Sequence, residues 1–139
     1  VSGSGSSLSI TNNTENTYHV LITTDLDSST LIDGFSIRGG NADAGSSVSI
    51  NGKSITQGSG GGMHNLDSSP SLTNLTFINN TATYGGGMIN RNASPTMTNL
   101  TFSNNSASFN GGGMHNDQSS SPSLTNLSLN GNFAFQGGG

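Results

Sequence analysis

Seven acids, three Lys or Arg side chains and three His carry almost all the ionisable chemistry of this 139-residue chain. The acids are Glu15, Asp25, Asp27, Asp33, Asp43, Asp67 and Asp117; the cations are Arg38, Lys53 and Arg91. Asp25 and Asp27 would point the same way on one strand, which makes a carboxylate pair conceivable. The other acids are scattered and read as solvated loop charges. Arg91 reads as having no acid at the matching position of a neighbouring repeat. A polysaccharide-cleaving site needs acids and a base clustered on one face, so no catalytic residue is expected. His64 and His115 occupy equivalent repeat positions, with Ile89 between them. Two strand spacings separate them by about 10 Å, too far for one ion with ~2 Å bonds. Both read as surface histidines, and neither a metal nor a cofactor is expected.

The glycine runs are no better as ligand loops. Gly60–Gly62, Gly85–Gly87 and Gly111–Gly113 are each followed by Met, and Gly137–Gly139 forms a fourth run. A phosphate loop would continue into Lys-Ser/Thr and a helix. A calcium-binding nonapeptide would place Asp where Met63, Met88 and Met114 stand.

The elements that carry these residues follow from a period. The Gly-Gly-Gly-Met segments begin at Gly60, Gly85 and Gly111. Pro70, Pro95 and Pro122 each stand seven residues before Phe77, Phe102 and Leu129. A fixed spacing of this size marks a repeat architecture. Helix is a poor unit, because each repeat holds three adjacent Gly and one Pro. Leu75 and Phe77 alternate with Thr76, the two-residue period of a half-buried strand. One unit is therefore read as three short strands joined by bends, with about 25–26 residues per coil and about five to six coils in the chain.

A single unit cannot bury its apolar side. Stacking copies at ~4.8 Å would place like residues above like. The expected core columns are Met63, Met88 and Met114; Leu72, Met97 and Leu124; Leu75, Leu100 and Leu127; and Phe77, Phe102 and Leu129. Asn80, Asn105 and Asn132 are expected to form a buried amide ladder. Outward, Ser71 and Thr73, Thr96 and Thr98, and Ser123 and Thr125 would line up as paired hydroxyl rows. The triple Gly is read as a tight bend or a site without room for Cβ. The resulting fold class is all-β, a right-handed parallel β-helix (β-solenoid). It divides into irregular coils over residues 1–59 and regular repeats over 60–139. In the irregular part, Tyr18–Thr24 reads as an early strand. Leu31–Ala42 is aligned with Leu72–Ala82 by one inserted residue, putting Phe35 at the Leu75 position and Ile37 at the Phe77 position. Asn51-Gly52 between Val48–Ile50 and Ser54–Thr56 is a strong hairpin signal.

Composition bounds the partners. Ser, Gly, Asn and Thr fill 80 positions, only 7% of residues are charged, and net charge is −4. That balance gives no footprint for nucleic acid. No apolar run approaches the roughly 20 residues of a membrane span. No Cys is present, which excludes disulfides and thiolate metal sites. Seven Asn-x-Ser/Thr sequons occur, at Asn12, Asn74, Asn79, Asn92, Asn99, Asn104 and Asn126. Most are read as unoccupied.

Phe77-Ile-Asn-Asn80, Phe102-Ser-Asn-Asn105 and the Gly-Gly-Met segments at 61–63, 86–88 and 112–114 resemble the repeats of chlamydial polymorphic membrane proteins and related bacterial surface β-helices. Leu129-Asn-Gly-Asn132 departs at the Phe. The resemblance spans roughly residues 31–139. It implies an extracellular or cell-surface setting and a structural or adhesive role, and it transfers no catalytic residue. The expected function is a non-catalytic extracellular structural or adhesive solenoid. Its expected partners are itself, by end-to-end stacking into a fibre, or flanking repeats of the same protein, with a surface glycan as a further candidate. A carbohydrate-binding or carbohydrate-cleaving β-helix and an ice-binding solenoid are the alternatives.

Overall fold

A computed structural model describes residues 17–139. Asn12, Glu15 and the start of the 1–59 segment lie outside the described residues. Within them the chain is all-β, with sixteen strands and no helix. In chain order these are β1 (Leu21–Thr24), β2 (Leu31–Asp33), β3 (Ser36–Arg38), β4 (Asn41–Ala42), β5 (Ser47–Ile50) and β6 (Lys53–Thr56). There follow β7 (Met63–Leu66), β8 (Ser71–Thr73), β9 (Thr76–Ile78), β10 (Thr81–Tyr84) and β11 (Met88–Arg91). The last five are β12 (Thr96–Ser103), β13 (Ser106–Asn110), β14 (Met114–Asp117), β15 (Ser123–Asn130) and β16 (Phe133–Gln136).

Three parallel sheets take fourteen of these strands, and β5 and β6 form a separate antiparallel pair. The first runs β1-β7-β11-β14. The second runs from β2 and β3 through β8 and β9 to β12 and then β15. The third runs β4-β10-β13-β16. The chain visits first, second and third sheet in turn, then begins again one strand further along. Met63 pairs with Met88 and Met88 with Met114, so the sequence period is also the pairing register.

The corners are set by residues that tolerate a left-handed backbone. Asn74, Asn99 and Asn126 have φ of 52°, 58° and 54°. Asn79 and Asn104 repeat this at 55° and 53°, and Asp67 and Asn92 at 49°. Short polar side chains accept this region far more readily than β-branched ones. Asp67, Asn74, Asn79, Asn92 and Asn104 stand between strands, whereas Asn99 and Asn126 bend β12 and β15 within their eight residues.

The glycine triplet has two separate causes. Gly85 turns the chain with φ 63°. Gly86 lies in line with stacked backbone: a Cβ there would strike the carbonyl oxygens of Ser106 and Gly112. Its own N–H donates to Gly111 O at 3.0 Å, so the backbones pair where side chains would otherwise separate them.

The core is one cluster of Ile37, Met63, Leu72, Leu75, Phe77, Met88, Met97, Leu100 and Phe102. Phe77 and Phe102 stack with centroids 4.7 Å apart and planes 5° from parallel. Met114 and Leu127 are partly buried against this cluster. Leu124 and Leu129 differ from expectation, at 47% and 48% exposed. They keep register with Met97 and Phe102, but β15 has a neighbour on one side only, so nothing covers them.

The first repeat differs in two ways. Leu31 pairs with Ser71 and Ile32 with Leu72, at the same offset that joins Ile37 to Phe77 and Ala42 to Ala82. No residue is inserted; Ile32 fills the Leu72 position and Leu31 is exposed. The extra length lies instead in the antiparallel hairpin β5–β6. Asn51 and Gly52 have φ of 51° and 75°, both central residues left-handed, which matches the right-handed twist of the flanking strands.

Candidate functional surface

The motif residues are mostly consumed by packing. Asn80 and Asn105 are buried, and each spans to the next repeat. Asn105 Nδ2 donates to Asn132 Oδ1 at 3.0 Å and to Phe77 O at 2.9 Å. Asn132 Nδ2 in turn donates to Phe102 O at 2.9 Å. A second ladder runs from buried Asn65 and Asn90 to exposed Asn116. Asn65 Nδ2 donates to Asn90 Oδ1 at 3.0 Å, and Asn90 Nδ2 to Asn116 Oδ1 at 2.9 Å. Its signal was present as Met-x-Asn, two residues after each repeat's Met. A third, exposed ladder joins Asn126 to Asn99 at 3.1 Å and Asn99 to Asn74 at 3.0 Å. These three corner amides are sequon residues.

The hydroxyls on the second sheet fall into register. Ser71, Thr96 and Ser123 form one row, and Thr73, Thr98 and Thr125 another. Leu31 and Asp33 continue these two rows on β2, so the hydroxyl pattern stops there.

The charged groups are arranged differently from the sequence expectation. Arg91 pairs in register with Asp117, and its Nε donates to Asp117 Oδ2 at 3.1 Å. An acid does match it: both residues stand three places after their repeat's Met. Asp25 and Asp27 do not share a strand. Asp25 has φ 58° and lies 3.1 Å from Lys53 Nζ. Asp27 accepts the Ser29 backbone N–H at 2.9 Å and the Ser29 hydroxyl, and these bonds hold its carboxyl below the usual range. Lys53 also donates to Asp67 Oδ2 at 2.6 Å. The hairpin is thereby fastened to two first-sheet corners.

His64 is not a surface residue. It is fully buried, while His115 is partly exposed and Ile89 separates them in register. His64 packs edge-on against buried His19, with centroids 5.3 Å apart. Their Nδ1 atoms lie 3.0 Å from the carbonyls of Ser59 and Gly60. A carbonyl only accepts, so Nδ1 carries the proton in both rings. Both Nε2 atoms are buried without a hydrogen-bond partner. Burial pushes both pKa values down, His64 to about 4, with the His19 and Arg91 charges adding to the effect at His64. Among the described residues no three His, Cys, Asp or Glu are grouped to hold a metal ion. No helix among them is long and apolar enough to cross a membrane.

A feature unmarked in the sequence lies on the third sheet. Phe109, Phe133 and Phe135 are 52%, 68% and 78% exposed. Phe109 stacks on Tyr84 with centroids 5.5 Å apart. Scattered single aromatics gave no periodic signal, and only the pairing of β10, β13 and β16 brings them together.

Comparison with protein-family models, with curated proteins and with solved structures yields no match.

Proposed function

We propose that this chain is a right-handed parallel β-helix serving as a rigid, non-catalytic extracellular element that bears load or adheres. The observation that carries the reading is the use of each repeat's motif residues in the stack itself. Met and Phe columns fill the core, buried amides bridge successive repeats, and glycines let backbones pair. Handedness follows from the near-universal right-handed crossover between parallel strands. The extracellular setting rests on the Phe-x-x-Asn and Gly-Gly-Met resemblance.

Strands β14, β15 and β16 present the same pattern that pairs in the interior, and their apolar column members Leu124 and Leu129 stand open. A further repeat of this same kind, from a second copy or from more of the same chain, fits that edge. Low charge leaves little repulsion to oppose it. Electron micrographs of the purified chain at rising concentration are expected to show unbranched filaments one stack wide. Discrete particles at every concentration would overturn self-assembly.

A further inference from the structure

Four of the chain's eight Phe and Tyr side chains, Tyr84, Phe109, Phe133 and Phe135, sit on third-sheet strands rather than in the core. Phe133 and Phe135 flank Ala134, and Ala134 continues the inward column of Ala42, Ala82 and Ala107. Strand alternation therefore turns both rings outward, about 7 Å apart along β16. A strand added at the edge of β16 would extend the sheet without covering them. Soluble domains seldom leave such clusters exposed without a partner.

The surroundings of the rings select the partner. Phe133 stands in register with Ser106 and, beyond it, Thr81. Gln136 stands in register with Asn110. Strands β4, β10, β13 and β16 contain no Asp, Glu, Lys or Arg. An anionic ligand finds no countercharge there. Four strands of up to five residues make a face of roughly 300 Å². A stable protein interface needs about 800 Å² from each partner. The face is too small for a dimer and suits a narrow, neutral, hydroxyl-rich chain. The C–H side of a sugar ring carries slight positive charge and docks on the negative face of an aromatic ring. Neighbouring hydroxyls then meet the sugar hydroxyls.

We propose that the outward face of the third sheet binds a neutral polysaccharide, with Phe133 and Phe135 as its stacking platform and Ser106, Ser108 and Thr83 as its polar frame. This rests on the adhesive half of the function proposed above. The test is affinity electrophoresis and calorimetry with soluble neutral glucans and mannans, with polygalacturonate as the anionic comparison. The intact chain is expected to bind at least one neutral polymer and to ignore polygalacturonate. The double variant F133S/F135S is expected to bind at least tenfold more weakly, with an unchanged circular dichroism spectrum, while Thr98→Ser on the second sheet binds as before. Absence of binding to every neutral polymer, or equal binding by the double variant, would overturn the proposal. Concentration-dependent sedimentation lost in F133S/F135S would overturn it too, assigning the face to a second copy. Outward rings take no part in stacking repeats, so filament formation remains a separate readout of the structural reading.

Discussion

Asn80 and Asn105 are joined twice through one oxygen. Asn105 Oδ1 accepts Asn80 Nδ2 at 3.0 Å and the Asn80 backbone N–H at 3.1 Å. Asn80 Oδ1 passes the pattern on by accepting the Gly40 N–H at 3.1 Å. An amide can do this because it donates and accepts at once, and the donors it meets are repeated at the strand spacing.

Replacing Asn105 by Leu keeps the volume and removes the bonds. It strands the Asn80 N–H in a dry interior and removes the side-chain donor that the Phe77 carbonyl and Asn132 Oδ1 accept. At about 1–3 kcal/mol for each buried unsatisfied group, a loss of roughly 3–5 kcal/mol is expected. Thr101→Ser, on a partly exposed strand position, should stay within about 0.5 kcal/mol. Urea unfolding midpoints compare the two variants directly. Equal midpoints would contradict a structural role for the ladder.

Gly86→Ala should be far more harmful than Gly45→Ala. The first Cβ meets the backbone carbonyls of Ser106 and Gly112, whereas nothing lies within 4 Å of the second. Backbone cannot yield as a side chain does, so the Gly86 change should cost about 3 kcal/mol or more. Gly45→Ala should be neutral or slightly stabilising by restricting the unfolded chain. Thermal midpoints of the two single variants decide it.

Stability should fall on mild acidification because of His64. Its folded pKa of about 4 lies below its ordinary 6.5, chiefly through burial. Between these values the unfolded chain binds the proton and the folded chain does not. Stability is therefore complete above about pH 6.5, declines as pH falls to about 4, and loses roughly 3 kcal/mol from this group. His19, lowered for the same reason, acts with the same sign. The carboxyl of Asp67, held low first by its bond to Lys53, acts below this window. His64→Ile copies Ile89, its counterpart one repeat on, and should flatten the profile. Urea titrations at pH 4.5 and 7.5 test this; equal wild-type stability at both would refute it.

How much was legible depends on whether a residue repeats. Met63, Met88 and Met114, or Thr73, Thr98 and Thr125, are aligned by period alone, because in-register pairing carries sequence spacing directly into space. The hairpin was equally local, since Asn51 and Gly52 specify their own turn. Single residues had no such guide. His19 meets His64 across 45 positions of sequence, and Lys53 joins Asp25 to Asp67 only because the hairpin folds over first-sheet corners. The openness of Leu124 and Leu129 reflects which strand stands at the edge, and their residue types match a buried column. Phe133 and Phe135 were two more apolar residues until Ala134 took the inward column and turned them to solvent. The sequence by itself determined the β repeat, its register over 60–139 and the hairpin turn, because these depend on local chemistry, most of it recurring at one period. Only the tertiary structure decided which unrepeated side chains meet and which face water, because that depends on sheets whose strands lie far apart along the chain.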